Sequence, residues 1–556
     1  MQIVRRLYLY LMSGITLGVM AVGLRMALAV LFDAIGVGRG SFIIGDPSAD
    51  RQQLSLAVAL IGVGMPVWAI HWWLAERGLR PGNTHAEAER GSAVRALYLT
   101  LTLAVLLAIG ASAGVELVRG VIQGVLGDRP DFAIADLAGS LATVLVTGVA
   151  WGYHVAIRRR DMGGDPLTGA AAWLPRVYLY GAALVGLLVL LQSFGDLVTI
   201  IGEAVVPQIG AVVEPGMRSF QAGSSLSAII ISGAIWLGHW WYARSLVRSA
   251  SWRGASERPA TLRLAYFVGV VTFSAFSAIR LVAAALSAVL APLFGASAVI
   301  GESVAGRDVA RVLGVALVSA VPWALVWRVH RRSMGREAIL SNDRGRISTT
   351  VRLDLHSAAL VGLGFGGVGL AWLLGLLVDV VLGGDRTAAG SLWRSELSTF
   401  LPLALIGSAV WLSWWWRIQA RRAADAPGEA PSMVRRSYLM IILAASVIAS
   451  LSSMALILYR LFGTILGANL GGNAASELST PIGALVVSGA IALYHGQALR
   501  RDMAVRAAEA APERASTGSA EASRRLLLVG PAGSDLDATA AGLRADLPPG
   551  YRLDDG

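Results

Sequence analysis

The sequence predicts an all-α, polytopic membrane protein of about twelve transmembrane helices in six tandem hairpins, and three observations point there. The 556 residues are 55% hydrophobic and only 15% charged, with a mean hydropathy of +0.62, outside the range of soluble globular domains. Apolar stretches long enough to cross a ~30 Å hydrocarbon core recur along the chain. An aromatic motif closes alternate stretches: Val67-Trp68-Ala69-Ile70-His71-Trp72-Trp73 returns as Trp151-Gly152-Tyr153-His154, as Trp236-Leu237-Gly238-His239-Trp240-Trp241 and as Tyr494-His495. Imperfect copies stand at Trp323 to Trp327 and Trp411 to Trp416.

Each repeat opens on a basic residue, usually followed by an aromatic: Arg5 and Tyr8, Arg95 and Tyr98, Arg176 and Tyr178, Arg263 and Tyr266, Arg435 and Tyr438. The fifth repeat keeps Arg352 but has Leu355 at the aromatic place. A Gly suited to a helix C-cap ends five of the six apolar runs, at Gly36, Gly127, Gly295, Gly383 and Gly467, whereas the third passes Gly202 and reaches Pro207. The first helix of each hairpin is then about 29 residues, roughly 43 Å, and must tilt or project. Second helices are expected over Leu54 to Glu76, Leu141 to Ile157, Ser225 to Ala243, Val312 to Val329, Phe400 to Ile418 and Ile482 to Leu499. The hairpins read as residues 1–82, 83–162, 163–250, 251–335, 336–424 and 425–502. A polar linker is expected over 503–524 and a small cytoplasmic α/β segment over 525–556, with a strand at Leu526-Leu527-Leu528-Val529, a helix to about Ala545 and a second strand at Tyr551-Arg552-Leu553.

There is no Lys, so the 47 basic residues are all Arg, and the net charge is +11. The Arg residues crowd the loops between hairpins, as in Arg158, Arg159 and Arg160, while loops inside hairpins such as Gly471-Gly472-Asn473 are nearly neutral. That bias places the inter-hairpin loops and both termini in the cytoplasm, and explains the positive charge without a nucleic-acid partner. The apolar run after Met1 continues to about Leu31, too long for a signal core, so the first helix is expected to be retained. With no Cys, disulfides, thiolate metal sites and thiol catalysis are excluded.

Two constellations are candidate sites. Of the 17 Trp residues, 13 lie at second-helix ends, as an interfacial aromatic belt and local packing would place them. The functional alternative is haem or metal ligation by His71, His154, His239 and His495, which share one depth on repeated helices. Two repeats put Val326 and Trp414 near that place and no carboxylate support is evident, so no cofactor and no metal are expected. The second constellation is intramembrane charge: Arg25, Glu116, Arg119, Asp196, Arg280, Asp379 and Arg460 fall on one half of the first helices. Pairing across repeats, Arg25 with Glu116 and Asp196 with Arg280, is the expected arrangement, because charge facing lipid is costly. A polar pathway is the alternative. The Gly-rich run from Gly362 to Gly369 permits close helix contact. Gly530-Pro531-Ala532-Gly533 lacks the Lys and Ser or Thr of a phosphate loop.

The start Arg5-Arg6-Leu7-Tyr8-Leu9-Tyr10, with second helices ending in Trp-x-x-His and Arg, resembles a family of bacterial multi-pass membrane proteins catalogued only as a domain of unknown function. The resemblance covers nearly all of residues 5 to 502. It implies a helical membrane fold and no activity, so it carries over no site residues.

The sequence therefore points to a scaffold or interaction platform of the bacterial inner membrane, bathed in the lipid bilayer and offering its cytoplasmic loops or C-terminal segment to a protein partner. A transporter or channel using the charged half of the first helices is the alternative, and a haem- or metal-binding membrane protein the next. An enzyme is not expected, because no Ser/His/Asp set, HExxH or acid cluster is present.

Overall fold

The computed structural model describes residues 2–37, 47–80, 83, 86–126, 137–163, 166–206, 216–296, 306–384, 392–466, 472–520, 524–527, 542–543 and 551–554. In chain order the elements are α1 (Gln2–Ala34), α2 (Pro47–Arg77), α3 (Ala86–Arg90), α4 (Ala93–Leu126), α5 (Leu137–Asp161), α6 (Gly169–Val205), α7 (Met217–Arg248), α8 (Trp252–Glu257), α9 (Thr261–Leu293), α10 (Gly306–Leu340), α11 (Arg344–Leu382), α12 (Leu392–Ala424), α13 (Ala426–Glu429), α14 (Met433–Ile465), α15 (Ala474–Ala520), β1 (Arg524–Leu527) and β2 (Tyr551–Asp554). Twelve helices among the described residues are long and apolar enough to cross a membrane, all but the short α3, α8 and α13. The chain is an integral, multi-pass membrane protein. Its many exposed Leu, Ile and Val side chains face lipid, where only helices or closed barrels satisfy the backbone.

The helices outrun the apolar stretches. α2 has 31 residues and α7 has 32, beyond the 17 to 23 that hydropathy marks out, because polar turns such as Asp50-Arg51-Gln52-Gln53 and the terminal Arg residues continue the helix outside the hydrocarbon. Three of the expected cap glycines, Gly36, Gly295 and Gly383, adopt positive φ of 86°, 66° and 70°, the left-handed conformation in which Gly meets no Cβ penalty. Gly127 and Gly467 lie outside the described residues. α15 continues to Ala520, through most of the stretch read as a polar linker, since Ala, Glu and Arg are strong helix formers. It thus reaches about 37 Å beyond His495.

The chain divides into two compact units, Met1–Asp354 and Leu355–Gly556. In the first, each hairpin packs on itself (α1 on α2, α4 on α5, α6 on α7, α9 on α10), and each earlier first helix also packs on the next hairpin's second helix, α1 on α5, α4 on α7 and α6 on α10. Its buried clusters gather at the Trp–His ends of the helices: Tyr10, Trp72, Tyr98 and Ile157 in one, Tyr180, Ala243, Tyr266, Phe267 and Met334 in another. In the second unit α14 packs on α15, and the Gly-rich run of α11 meets α12 so closely that a Cβ on Gly407 would stand 2.1 Å from the Gly366 nitrogen. Backbone contact of this kind is what small residues allow between membrane helices.

Strands β1 and β2 pair in parallel, Arg524 opposite Tyr551 and Leu527 opposite Asp554. Residues 528–541 and 544–550 lie outside the described residues, and with them the Gly530 to Gly533 turn and most of the expected helix. The α/β segment as a folded unit therefore stays an expectation.

Candidate functional site

Short helices interrupt every second connection between hairpins: α3, α8 and α13 stand before α4, α9 and α14, whereas α5 to α6 and α10 to α11 are joined without one. Each short helix carries a buried or partly buried Glu, namely Glu89, Glu257 and Glu429, six residues before the Arg that opens the next long helix. Those residues, Arg95, Arg263 and Arg435, are among the largest fully buried side chains described. A buried guanidinium is tolerable only when paired and hydrogen-bonded, and the structure shows how.

Around Arg95, Nε donates to Asp161 Oδ2 at 2.6 Å, Nη2 to Glu76 Oε1 at 2.8 Å and Nη1 to the Tyr10 hydroxyl at 3.0 Å. Its charge lies 5.7 Å from the Trp72 ring, within cation–π range. The Tyr10 hydroxyl in turn donates to Glu89 Oε1 at 3.1 Å, and Arg6 closes on the same carboxylate at 2.8 Å. The second copy matches. Arg263 donates from Nε and Nη2 to Glu337 at 2.7 and 2.5 Å and from Nη1 to Tyr180 at 3.1 Å, over Trp240 at 5.5 Å. Tyr180 donates to Glu257 at 2.6 Å and Arg176 pairs with that carboxylate at 2.8 Å. In the third, Arg435 Nε donates to Asp502 Oδ2 at 2.6 Å, Nη2 reaches Gln419 at 3.4 Å, and Trp415 lies 5.5 Å away. We call these assemblies clamps.

The His residues belong to the same clamps. Nδ1 of His71, His154, His239 and His495 faces the carbonyl four residues earlier at 2.7 to 2.9 Å. A carbonyl only accepts, so Nδ1 carries the proton and Nε2 is left as an acceptor. That acceptor takes the hydroxyl of Tyr8 for His71 (3.2 Å), Tyr98 for His154 (3.1 Å) and Tyr178 for His239 (3.1 Å). Haem or metal ligation at those three would have to break the phenol contact first. Among the described residues no three His, Cys, Asp or Glu converge on a metal-sized site. The fourth repeat does have its histidine: His330, not Val326, accepts from Tyr266 at 3.3 Å. The Trp residues divide as well. Trp72, Trp323 and Trp415 are buried, and Trp72 and Trp415 donate to Tyr153 at 2.6 Å and Tyr494 at 2.7 Å, while Trp73, Trp241 and Trp416 face outward as a belt would.

The charges on the first helices are not paired as expected. Glu116 closes on Arg119 of its own helix rather than on Arg25, because i,i+3 neighbours meet without any interhelical fit. Asp196 accepts from Gln192 one turn back at 3.0 Å, not from Arg280. Arg460 pairs with Glu477 within the last hairpin. Arg25 and Arg280 have no ion-pair or hydrogen-bond partner among the described residues. Asp379 is fully buried, and neither of its carboxylate oxygens is hydrogen-bonded.

The model of a domain of unknown function, DUF5671, matches residues 6–161, 176–321 and 352–490. The chain belongs to this family. The three matches begin at Arg6, Arg176 and Arg352, and each spans the Arg at the centre of one clamp. No curated protein and no solved structure matches the chain. The family's unit in this chain is therefore a pair of hairpins, α1 to α5, α6 to α10 and α11 to α15. Residues missed in the sequence include Asp161, Glu337 and Asp502, each seven positions after His154, His330 or His495, and the connector acids Glu89, Glu257 and Glu429. The spacing was there to be read: an acid six before the Arg, a Tyr three after it, and an acid seven after the His.

Proposed function

We propose that the protein is a scaffold of the bacterial inner membrane, twelve spans in six hairpins with the Arg-rich loops and both termini in the cytoplasm. Two clamped four-helix units, α1 to α5 and α6 to α10, form a fixed platform, and the helical end of α15 and the loops offer a surface to a protein partner. The observation that carries this reading is the closure of the clamps. Arg95 and Arg263, fully buried, have carboxylate, phenol and indole partners, an arrangement that holds helix ends in one register rather than opening and closing. The reading includes no chemical step and no cofactor. One observation favours transport as the second reading: the carboxylate of Asp379, buried and without a hydrogen bond, is the kind of intramembrane acid that marks ion or proton paths.

The absence of Cys makes the test direct, because any introduced thiol is unique. Single Cys at 116, 196, 280 and 379 are challenged with a membrane-impermeant thiol reagent from each side of oriented vesicles. For a scaffold, 116, 196 and 280 label from the hairpin-loop side alone and 379 from neither. Labelling of the set from both sides would establish a water-filled pathway and overturn the scaffold.

A further inference from the structure

α1 and α4 run side by side without closing on each other along their length, and α5 lies behind them. The result is a groove of about 590 Å³. Its rims are rows at helical spacing, Leu7, Leu11 and Ile15 on α1 and Leu97, Leu101 and Val105 on α4, all exposed. Its floor is Tyr10, Tyr98, Thr143 and Thr147. The depth comes from small residues: a Cβ on Gly18 would meet nothing within 4 Å. From Leu7 to Arg25 the groove follows α1 for 18 residues, about 27 Å, close to the thickness of the hydrocarbon core.

Arg25 lines the end far from the Trp–His cluster. It sits about 22 Å along α1 from Tyr10, far enough along a ~30 Å core for a long apolar stem to carry its guanidinium toward the headgroup layer opposite the Trp–His end. The acid expected to neutralise it, Glu116, is committed to Arg119. An unpaired guanidinium at the mouth of an apolar groove complements one kind of occupant, an amphiphile with an anionic head and long chains, and its planar fork suits a phosphate.

We propose that this groove holds one anionic phospholipid drawn from the leaflet opposite the Trp–His end, its phosphate on Arg25 and an acyl chain along Gly14 and Gly18. The assignment does not depend on the scaffold reading, since a transporter could hold the same lipid.

The full chain is reconstituted in nanodiscs of mixed phosphatidylglycerol and phosphatidylcholine, and lipids retained on gentle extraction are counted by native mass spectrometry. One phosphatidylglycerol per chain is expected, enriched about fivefold over its share of the bilayer. Arg25→Gln should return the ratio to that of the bilayer. Arg280→Gln, which removes an equally unpaired cation away from the groove, should leave it unchanged. Gly18→Leu should expel the lipid while keeping Arg25, and serves if Arg25→Gln fails to fold. Bulk lipid ratios in the unmodified protein, or full enrichment in Arg25→Gln, would overturn the proposal. Retention of phosphatidylcholine as firmly as phosphatidylglycerol would overturn the headgroup assignment.

Discussion

Arg95 and Arg435 occupy matching places at the start of α4 and α14 and are equally buried, 0 and 1% exposed, yet Arg95 has a partner at every guanidinium nitrogen and Arg435 does not. Nη1 of Arg435, the Tyr438 hydroxyl and Nε2 of His495 are buried without a hydrogen bond. Two residues account for the difference. His356 stands where the first two clamps have Tyr10 and Tyr180, packing on Tyr438 at 5.1 Å between ring centroids, and its ring is shorter than a phenol. Gln419 stands where the first clamp has Glu76, and its neutral oxygen is 3.4 Å from Nη2. A repeated architecture can thus keep its geometry while one copy loses its charge balance. Low local dielectric makes an incomplete polar network costly.

The largest effect follows from counting charge. Around Arg95, two cations, Arg95 and Arg160, face two acids, Glu76 and Asp161. Arg95→Met leaves the buried Asp161 and the partly buried Glu76 to one half-exposed Arg, and breaking a buried pair in this way costs roughly 3–5 kcal/mol. Around Arg435, two cations, Arg435 and Arg422, share Asp502 among the described residues, so Arg435→Met leaves a matched pair and should cost markedly less. Thermal unfolding in detergent should show a much larger drop for Arg95→Met. Equal drops would mean that the third clamp draws charge from a source outside this comparison.

A smaller effect separates the tyrosines. Tyr98→Phe strips the partner from His154 Nε2 in a buried setting and should cost about 1–3 kcal/mol. Tyr438→Phe removes a hydroxyl that bonds to nothing, and should be neutral or slightly stabilising. A loss at Tyr438 as large as at Tyr98 would show that the two networks are equivalent in the membrane.

Much of the fold was legible because hydropathy and Gly caps both act locally. The lengths of α2 and α15 were not, since hydropathy registers where lipid ends and not where hydrogen bonding along the helix ends. The clamps were half visible. Arg95, Arg263 and Arg435 marked the helix starts, and the His and Trp residues marked the ends, but their acids sit in polar turns where a charge draws no notice. His330 was overlooked by aligning on Trp323, when Trp327 three residues before it repeats the Trp-x-x-His spacing. The pairs expected between Arg25 and Glu116, and between Asp196 and Arg280, failed for a different reason. Equal depth on neighbouring helices is a weaker condition than the one-turn separation that joins Glu116 to Arg119 and Gln192 to Asp196.

The last test restores what the third clamp lacks. In the first two clamps a phenol bridges the buried Arg to the connector acid, Tyr10 to Glu89 and Tyr180 to Glu257. The third clamp keeps the acid, Glu429, buried and 3.1 Å from Arg421, and keeps the Arg, with His356 at the phenol's place and Nη1 of Arg435 without a hydrogen bond. His356→Tyr would set a hydroxyl able to accept from Arg435 Nη1 and donate toward Glu429. Satisfying one orphaned donor in a buried network is worth about 0.5–1.5 kcal/mol, offset in part by losing the imidazole's own contact. The variant should therefore unfold at a modestly higher temperature than the unmodified chain, and Arg435→Met in that background should become more damaging than it is alone, because the cation now has a partner to lose. If His356→Tyr lowers stability, the bridge cannot form on the third copy. The openness of that clamp would then reflect backbone placement rather than one short side chain.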